Sequence, residues 1–343
     1  MFRFEIQILR AQLILPSGEL AEKEIQVRTH PITGKSCRIT ISRGEEREPG
    51  TETFPDPPPF AEDRSHCPFC SQNLEKLTPR FTQQVTKKGR FRLGKSIIIP
   101  NLFPYGTHSA VSIFDDRHFV EIGTADSESY CDGFRNAKAY LERILEIDPK
   151  SVFMAITQNH LPSAGGSLLH PHLQIQADPV ASNYHRELYA RAREYNQKTG
   201  RMLFSDYLYH EIKNQSRIIA VIGNWHWLAA FAPEGFFEIW GILPGVVSLR
   251  HSTDRDLEDL AKGIITIQRF YRSLNRNGYN LGLLIIEEPS SVLEWRVVMM
   301  VRSNYAPWVR SDHTGFECML GDMATFTLPE DIAQKARPFF ENF

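Results

Sequence analysis

Two amphipathic helical patterns, each followed by two strand-like runs, recur at a nearly constant spacing. That recurrence limits the possible folds more than any other feature of the chain. In the first pattern Tyr130, Phe134, Ala137, Leu141 and Ile144 are spaced 4, 3, 4 and 3 residues apart, which puts them on one face of a helix. Pro149 lies just beyond its end, where a helix stops readily. In the second, Leu257, Leu260, Ile264, Ile267, Tyr271 and Leu274 are spaced 3, 4, 3, 4 and 3. Ser252 or Thr253 can cap that helix, and Asp254 and Asp256 suit its N-terminus. Residues 151–157 and 171–177 read as strands after the first helix, joined by a glycine-bearing turn. Residues 281–286 and 295–301 read as strands after the second. Runs 96–100 and 110–114 precede the first helix, and 225–231 and 236–243 precede the second. Thr253 follows Thr124 by 129 residues and Leu281 follows Ser151 by 130. We read this as a degenerate internal duplication. Strand pairs with one helix per unit predict an α+β fold, an antiparallel sheet with packed helices, rather than a doubly wound one. The expected halves are 1–190 and 191–343.

Composition removes several classes of function. Lys and Arg total 39 and Asp and Glu 41, a net charge of −2. No global field draws such a chain to nucleic acid or to an anionic membrane, so any phosphate must be gripped by local geometry. No apolar run approaches the ~18 residues that span a bilayer, and the first ten residues lack the apolar core of a signal peptide. Five cysteines, Cys37, Cys67, Cys70, Cys131 and Cys318, are too few and too scattered for a disulfide framework, which predicts a cytoplasmic protein. The proline-rich stretch 49–59 reads as a surface loop.

The densest polar cluster runs from Asn159 to Gln174. On a strand His170, His172 and Gln174 share one face, because side chains alternate with period two. Two imidazoles and an amide on one sheet face are costly to bury unpartnered. Just upstream, Gly165, Gly166 and Ser167 form a turn whose backbone N–H groups can make an anion-binding nest.

His170-Pro171-His172-Leu173-Gln174 resembles the His-x-His-x-Gln signature of the galactose-1-phosphate uridylyltransferase branch of the histidine-triad superfamily. Other segments agree in order. These are Pro31-Ile32-Thr33-Gly34 with Arg43, Cys67-Pro68-Phe69-Cys70, and Asn101-Leu102-Phe103-Pro104. Asn159 lies eleven residues before His170 and Ser167 three before it. Gly315-Phe316-Glu317 and Phe237-Glu238 with Pro244 are weaker C-terminal matches. The resemblance implies two histidine-triad-like halves, with the catalytic and zinc-binding half first. It implies that His172 attacks the α-phosphorus of a nucleoside diphosphate compound, leaving a covalent nucleotidyl-histidine that a phosphate acceptor then resolves. Gln174 would hydrogen-bond the transferring group. It cannot protonate a leaving group as a third histidine could, so the intermediate should wait for phosphate rather than water. Ser167, Gly165 and Gly166 would hold phosphate oxygens, and Arg43, Asn101 and Asn159 would face the nucleotide.

The resemblance also implies a zinc ion on Cys67, Cys70, His118 and His170. From spacing alone His108 and His66 rival His118. Four protein ligands leave no open position, so the role would be structural. The second-half run from Glu294 to Met300 lacks the histidines that relatives with a second metal place there, so no second metal is expected. Leu102 stands where an Asp often follows the segment's Asn, Met323 where a sugar-phosphate-contacting Gln is expected, and Ser311, beside Arg310, where a Lys is expected. Two ping-pong activities follow. One is UDP-glucose:hexose-1-phosphate uridylyl transfer, in nucleotide-sugar and galactose metabolism. The other is an adenylyl-transferring or phosphorylase relative, with phosphate attacking an AMP-histidine formed from ADP-glucose, a dinucleoside polyphosphate or adenylyl sulfate. Paired subunits sharing active sites, a homodimer, are implied by the resemblance alone. The remaining histidines, among them His160, His185, His210, His226, His251 and His313, read as surface or satisfied core residues. Trp225, Trp227 and Trp240 read as core, and Cys37, Cys131 and Cys318 as buried thiols.

Overall fold

A computed structural model describes residues 2–41, 59–304 and 311–341; Arg43 and Arg310 lie outside them. In chain order the elements of the first half are β1 (Glu5–Ile14), β2 (Leu20–Thr29), β3 (Ser36–Ile41), α1 (Ser71–Leu77), β4 (Phe91–Leu93), β5 (Ser96–Pro100), β6 (His108–Ile113), α2 (Ser127–Ile147), β7 (Phe153–His160) and β8 (His172–Asp178). Then follow α3 (Asn183–Thr199), α4 (Leu203–Asn214), β9 (Ile218–Ile222), β10 (Trp225–Ala229), β11 (Phe236–Leu243), α5 (Asp254–Ser273), β12 (Tyr279–Ile286), β13 (Trp295–Val301), α6 (Gly315–Leu320), β14 (Met323–Thr325) and α7 (Pro329–Ala336). The two expected helices and the eight expected strands are all present, with ends shifted by a few residues.

The duplication is visible in the strand order of the larger sheet, β4-β5-β6-β8-β7-β12-β13-β11-β10-β9. Read from its centre, each half runs outward in the same order, and all the ladders are antiparallel. The halves meet where Thr157 lies opposite Gly282 across β7 and β12. Both helices pack on one face of this sheet. Asp126 caps α2, and Thr253 with Asp256 forms a capping box on α5, satisfying donors that a helix start leaves open. Each helix carries a glycine where an aromatic ring from the sheet presses in. A Cβ on Gly133 would lie 2.6 Å from the Phe114 ring, and one on Gly263 would lie 2.1 Å from Trp227. Trp225, Trp227 and Trp240 are buried.

The opposite face is treated differently in the two halves. Over the second half, α3 and α4 lay Leu188, Phe204, Tyr207 and Leu208 onto a cluster with Trp240, Ile242 and Ile286. Over the first half, Ala155, Thr157, Asn159, Gln174 and Gln176 stay half-buried. The expected division at 190/191 falls inside α3; we propose that the halves part along the α3–α4 connection. A second, four-stranded sheet has the order β1-β2-β3-β14. Cys37 and Cys131 are buried, but Cys318 is exposed. Its short helix α6 buries no residue, so the expectation of a third buried thiol is corrected.

Candidate active site

β8 starts at His172, and the two histidines of the motif are held by backbone carbonyls in opposite ways. His172 Nδ1 lies 2.7 Å from the carbonyl of His170. A carbonyl only accepts, so Nδ1 carries the proton and Nε2 keeps its lone pair. His170 Nε2 lies 2.7 Å from the carbonyl of Asp115, which leaves Nδ1 as that ring's free donor atom. Burial depresses the basicity of both, bringing His170 down to about 4. Both rings are therefore neutral near pH 7 and able to donate electron pairs.

Those electron pairs face different things. His170 Nδ1 is 3.8 Å from Cys67 Sγ and 3.7 Å from Cys70 Sγ, and His118 Nδ1 is 3.4 Å from Cys70 Sγ. All four ligand atoms lie within 4.8 Å of one another. A tetrahedral ion with ordinary metal–sulfur and metal–nitrogen bonds separates S from N by about 3.6 Å, so the donor set fits a metal ion. Burial, with Cys67 alongside, pushes the Cys70 thiol up to about 12; a thiolate pair here needs a cation. His108 is not part of the cluster. Its Nε2 sits 3.0 Å from Asp148, at the far end of β6. The knuckle is fixed by Asn73, whose Nδ2 donates to the carbonyl of Cys67, and by Asp116, which accepts from the N–H of Ser71. Phe69, between the two cysteines, packs edge-on against His172 at 5.2 Å and His170 at 6.1 Å. The metal knuckle and the free Nε2 are thus one packed unit.

Gln174 is oriented by a chain of amides that begins in the second half. Arg302 is gripped by Asp312 through two hydrogen bonds and donates to Asn280 Oδ1 at 2.7 Å. A guanidinium has no acceptor, so Asn280 must turn its Nδ2 the other way. There it donates to Asn159 Oδ1 at 2.6 Å and to the carbonyl of Ala164 at 2.9 Å. Asn159 Nδ2 in turn points to Gln174 Oε1, a long link of 3.5 Å. Gln174 Nε2 is left as a donor facing the open side of the sheet.

The turn before the motif is strained in one place. Leu161 has φ +71°, unusual for a side chain of that bulk. Gly165 sits at φ +87°, and a Cβ on Gly166 would come within 3.0 Å of the carbonyls of Asn159 and Leu161. The N–H groups of Gly165 and Gly166 donate back to Pro162 and Leu161. In this conformation they close the turn, and the expected phosphate contact of Gly165 and Gly166 is kept as a proposal. Ser167 is exposed at the end of the turn. Asn101 donates its backbone N–H to Ser109, which pairs with Gln176, two residues along β8 from Gln174. Its side-chain oxygen accepts from Phe103. Arg43 lies outside the described residues.

Sequence reasoning missed Asn280, Arg302 and Asp312, which belong to the half expected to have lost its chemistry. It also read His160 as surface or satisfied core. His160 is buried against Tyr279, 4.9 Å between ring centres, yet its Nε2 has no partner among the described residues. Burial, and secondarily His172, lower its basicity to about 4.

No protein-family model matches the chain. It is 26% identical to an uncharacterised protein of Archaeoglobus fulgidus over 98% of both chains. It is 26% identical to an ADP-glucose phosphorylase of Arabidopsis thaliana over 88% of this chain and 81% of that one. The crystal structure of an ADP-glucose phosphorylase from the same plant, with bound ADP-glucose, superimposes with a TM-score of 0.68 over 91% of this chain and 98% of that one, at 22% identity. A uridylyltransferase structure superimposes with a TM-score of 0.66 over 92% and 98%, at 19% identity. The chain shares the fold of the ADP-glucose phosphorylase and uridylyltransferase structures.

Proposed function

We propose that this protein is a nucleotidyltransferase working through a covalent nucleotidyl-histidine on His172, with inorganic phosphate as the acceptor and an adenylyl donor such as ADP-glucose. One observation carries the first part. The His170 carbonyl takes the Nδ1 proton of a buried, neutral His172 and leaves Nε2 as the nucleophile. Nε2 forms a bond to the α-phosphorus, the bond from phosphorus to the bridging oxygen breaks, and the sugar 1-phosphate departs. The imidazolium charge that develops is supported through Nδ1–H by the carbonyl. An oxygen of phosphate then bonds to the same phosphorus, the N–P bond breaks, and a nucleoside diphosphate leaves. Gln174 Nε2 is positioned to donate to a phosphoryl oxygen throughout.

The choice of acceptor and base rests on two supports. An ADP-glucose phosphorylase is a curated relative with a stated activity, at 26% identity. In addition, Met323, where the resemblance expects a sugar-phosphate-contacting Gln, is buried in β14 against Cys37. Uridylyl transfer to a hexose 1-phosphate, the activity placed first from sequence, is the second reading. The metal is proposed to be zinc. Bound by Cys67, Cys70, His118 and His170, it would supply a fixed structural link between α1, the loop after β6 and the catalytic strand. Ser167, Asn101, Asn159 and Arg43 are proposed to face phosphate and nucleotide, and a homodimer remains part of the proposal.

The test is a donor trap. The protein is incubated with α-labelled ADP-glucose, UDP-glucose or adenylyl sulfate, without acceptor. One donor is expected to leave an acid-labile label on His172, released as nucleoside diphosphate when phosphate is added. No label from any donor would overturn the covalent route. Label from UDP-glucose alone would overturn the adenylyl reading. His172→Gly is expected to lose the label and at least about a thousandfold in turnover.

A further inference from the structure

Carrying the ladder registers across the sheet gives each residue of the first half a counterpart in the second. Thr157 lies opposite Gln174 on one side and Gly282 on the other, and Gly282 lies opposite Val298. With Thr157 and Gly282 as counterparts about the central axis, Ser96 pairs off with Trp225, the first residues of β5 and β10. Gln174 pairs off with Val298, and His172 with Arg296. The side facing holds too. Leu173 and Ile175, and Val297 and Met299, all point into the core under the helices.

At that position the second half has a cavity of about 280 Å³, between β12–β13 below and α3–α4 above. Arg296 lines it with Phe204 and Leu284, and Glu234, Glu238, Glu294 and Asn280 line it too. The guanidinium lies 4.2 Å over the Trp240 ring and 5.0 Å from that of Phe204. Among the described residues no hydrogen-bond acceptor and no carboxylate within 4.0 Å engages it. Its carboxylate neighbours are already engaged. Glu238 accepts from Trp240 Nε1 and from the N–H of Glu234. Glu234 pairs with Lys35 and accepts from Tyr184, and Glu294 accepts from Ser205 and Gly245. Gly282 keeps the floor open, since a Cβ there would meet nothing within 4 Å. A guanidinium stacked on an aromatic ring, with its N–H fork unmet in a cavity, matches the bidentate geometry of an oxyanion.

We propose that this cavity is a second ligand site, specific for a small molecule bearing a phosphate or carboxylate group, with Arg296 as the anion-binding residue and the apolar walls holding the rest. Three strand spacings and four residues along the strand separate Arg296 from His172, about 20 Å. The guanidinium therefore sits well away from the nucleophile, although Asn280 lines both this cavity and the amide chain of the first site. The site needs no bond to form or break, only occupancy.

The test uses the full chain and two probes, inorganic phosphate and malonate. Each is titrated by calorimetry and by tryptophan fluorescence, which reports on Trp240. Wild type is expected to show a saturable millimolar response to at least one probe. Which probe responds identifies the oxyanion. Arg296→Met is expected to abolish that response while the His172 donor label, measured in parallel, is kept. Arg296→Lys should weaken the response by about tenfold, because a point charge replaces the planar fork. An unchanged response in Arg296→Met, or no saturable response in wild type, overturns the proposal. Should Arg296→Met melt early, Arg296→Lys decides: saturable binding upholds the site and its loss overturns it.

Discussion

The two halves share a sheet order, a helix and a capping strategy, yet they present the same sheet face in opposite states. In the first half that face is uncovered and polar, with Gln174, Asn159 and Thr157 half-buried along it and His172 buried at its end. In the second half α3 and α4 roof it with Leu188, Phe204, Tyr207 and Leu208, and Arg296 stands where His172 stands in the first. The first half also has a knuckle that its counterpart lacks, Cys67–Cys70 closing on His118 and His170. The difference teaches how a duplicated fold divides labour. The half proposed to admit a substrate stays uncovered and carries the Cys2His2 cluster, proposed to stiffen it. The half that is covered is stiffened by an apolar roof. Breaking either brace should separate the two.

The largest effect is expected from the metal cluster. Protein purified without chelator should contain one metal ion per chain, and Cys67→Ser should lose most of it. The roofed half keeps its own core, so the loss falls on the first half. Phe69 would no longer be held against His172, and both the nucleotidyl label and the melting temperature should drop. A loss on the order of a few kcal/mol is expected where a structural metal site is removed. Metal analysis and thermal melting check this. Full metal content in Cys67→Ser, or full stability without metal, would break the assignment.

A smaller effect tests whether the second half truly serves the first. Asn280→Asp replaces an amide that donates to Asn159 and Ala164 by a carboxylate that cannot donate. Arg302 lies 2.7 Å away and would pair with the new charge, so the fold should hold. Asn159 must then turn its Nδ2 toward position 280 and its oxygen toward Gln174. Gln174 turns in response and offers oxygen instead of N–H to the phosphoryl group. Turnover is expected to fall by about tenfold or more, with little change in KM, as when a donor to a developing charge is lost. An unchanged turnover number in a folded Asn280→Asp protein would show that the amide chain carries no orientation.

How much of this was legible in the sequence follows from the range of each signal. Local periodicity revealed the helices and strands. Motif spacing brought out Cys67, Cys70, His170 and His172, because each pair lies within a few residues. His118 required either the resemblance or the structure, since spacing could not set it apart from His108. The Asn280–Arg302–Asp312 chain was invisible, because its partners sit on β12, after β13 and on β7, and only the central ladder brings them together. An Asn at a strand's polar phase, opposite Asn159, was the one available hint. Cys318 was misjudged because a thiol's burial depends on whether its helix packs, and α6 does not. That the N–H groups of Gly165 and Gly166 close their own turn was not legible either, because composition marks a turn without saying which of its donors the turn itself consumes.

The smallest effect concerns the roofed half and its buried carboxylate. Burial raises the pKa of Glu238 to about 7, with Glu234 adding to it and Trp240 opposing. In the unfolded chain it sits near 4.5. The folded state therefore binds more protons than the unfolded state between those values, and stability contributed here falls as pH rises from about 4.5 to 7. The buried His160 acts in the reverse sense. Its basicity is lowered to about 4, so the first half loses stability as pH falls from about 6.5 toward 4. The two halves thus pull the stability profile in opposite directions over an overlapping window. Glu238→Gln mimics the protonated form and removes one side of that opposition. Denaturant melts across pH 4.5 to 7 should rise more steeply with pH in Glu238→Gln than in wild type, because the opposing term is gone. The absolute stability at low pH should change by no more than about 1 kcal/mol, one of the two hydrogen bonds at that position being weakened. Parallel profiles for the two proteins would mean that the carboxylate is charged in the fold at every pH tested, so that its neighbours, and not burial, set its state.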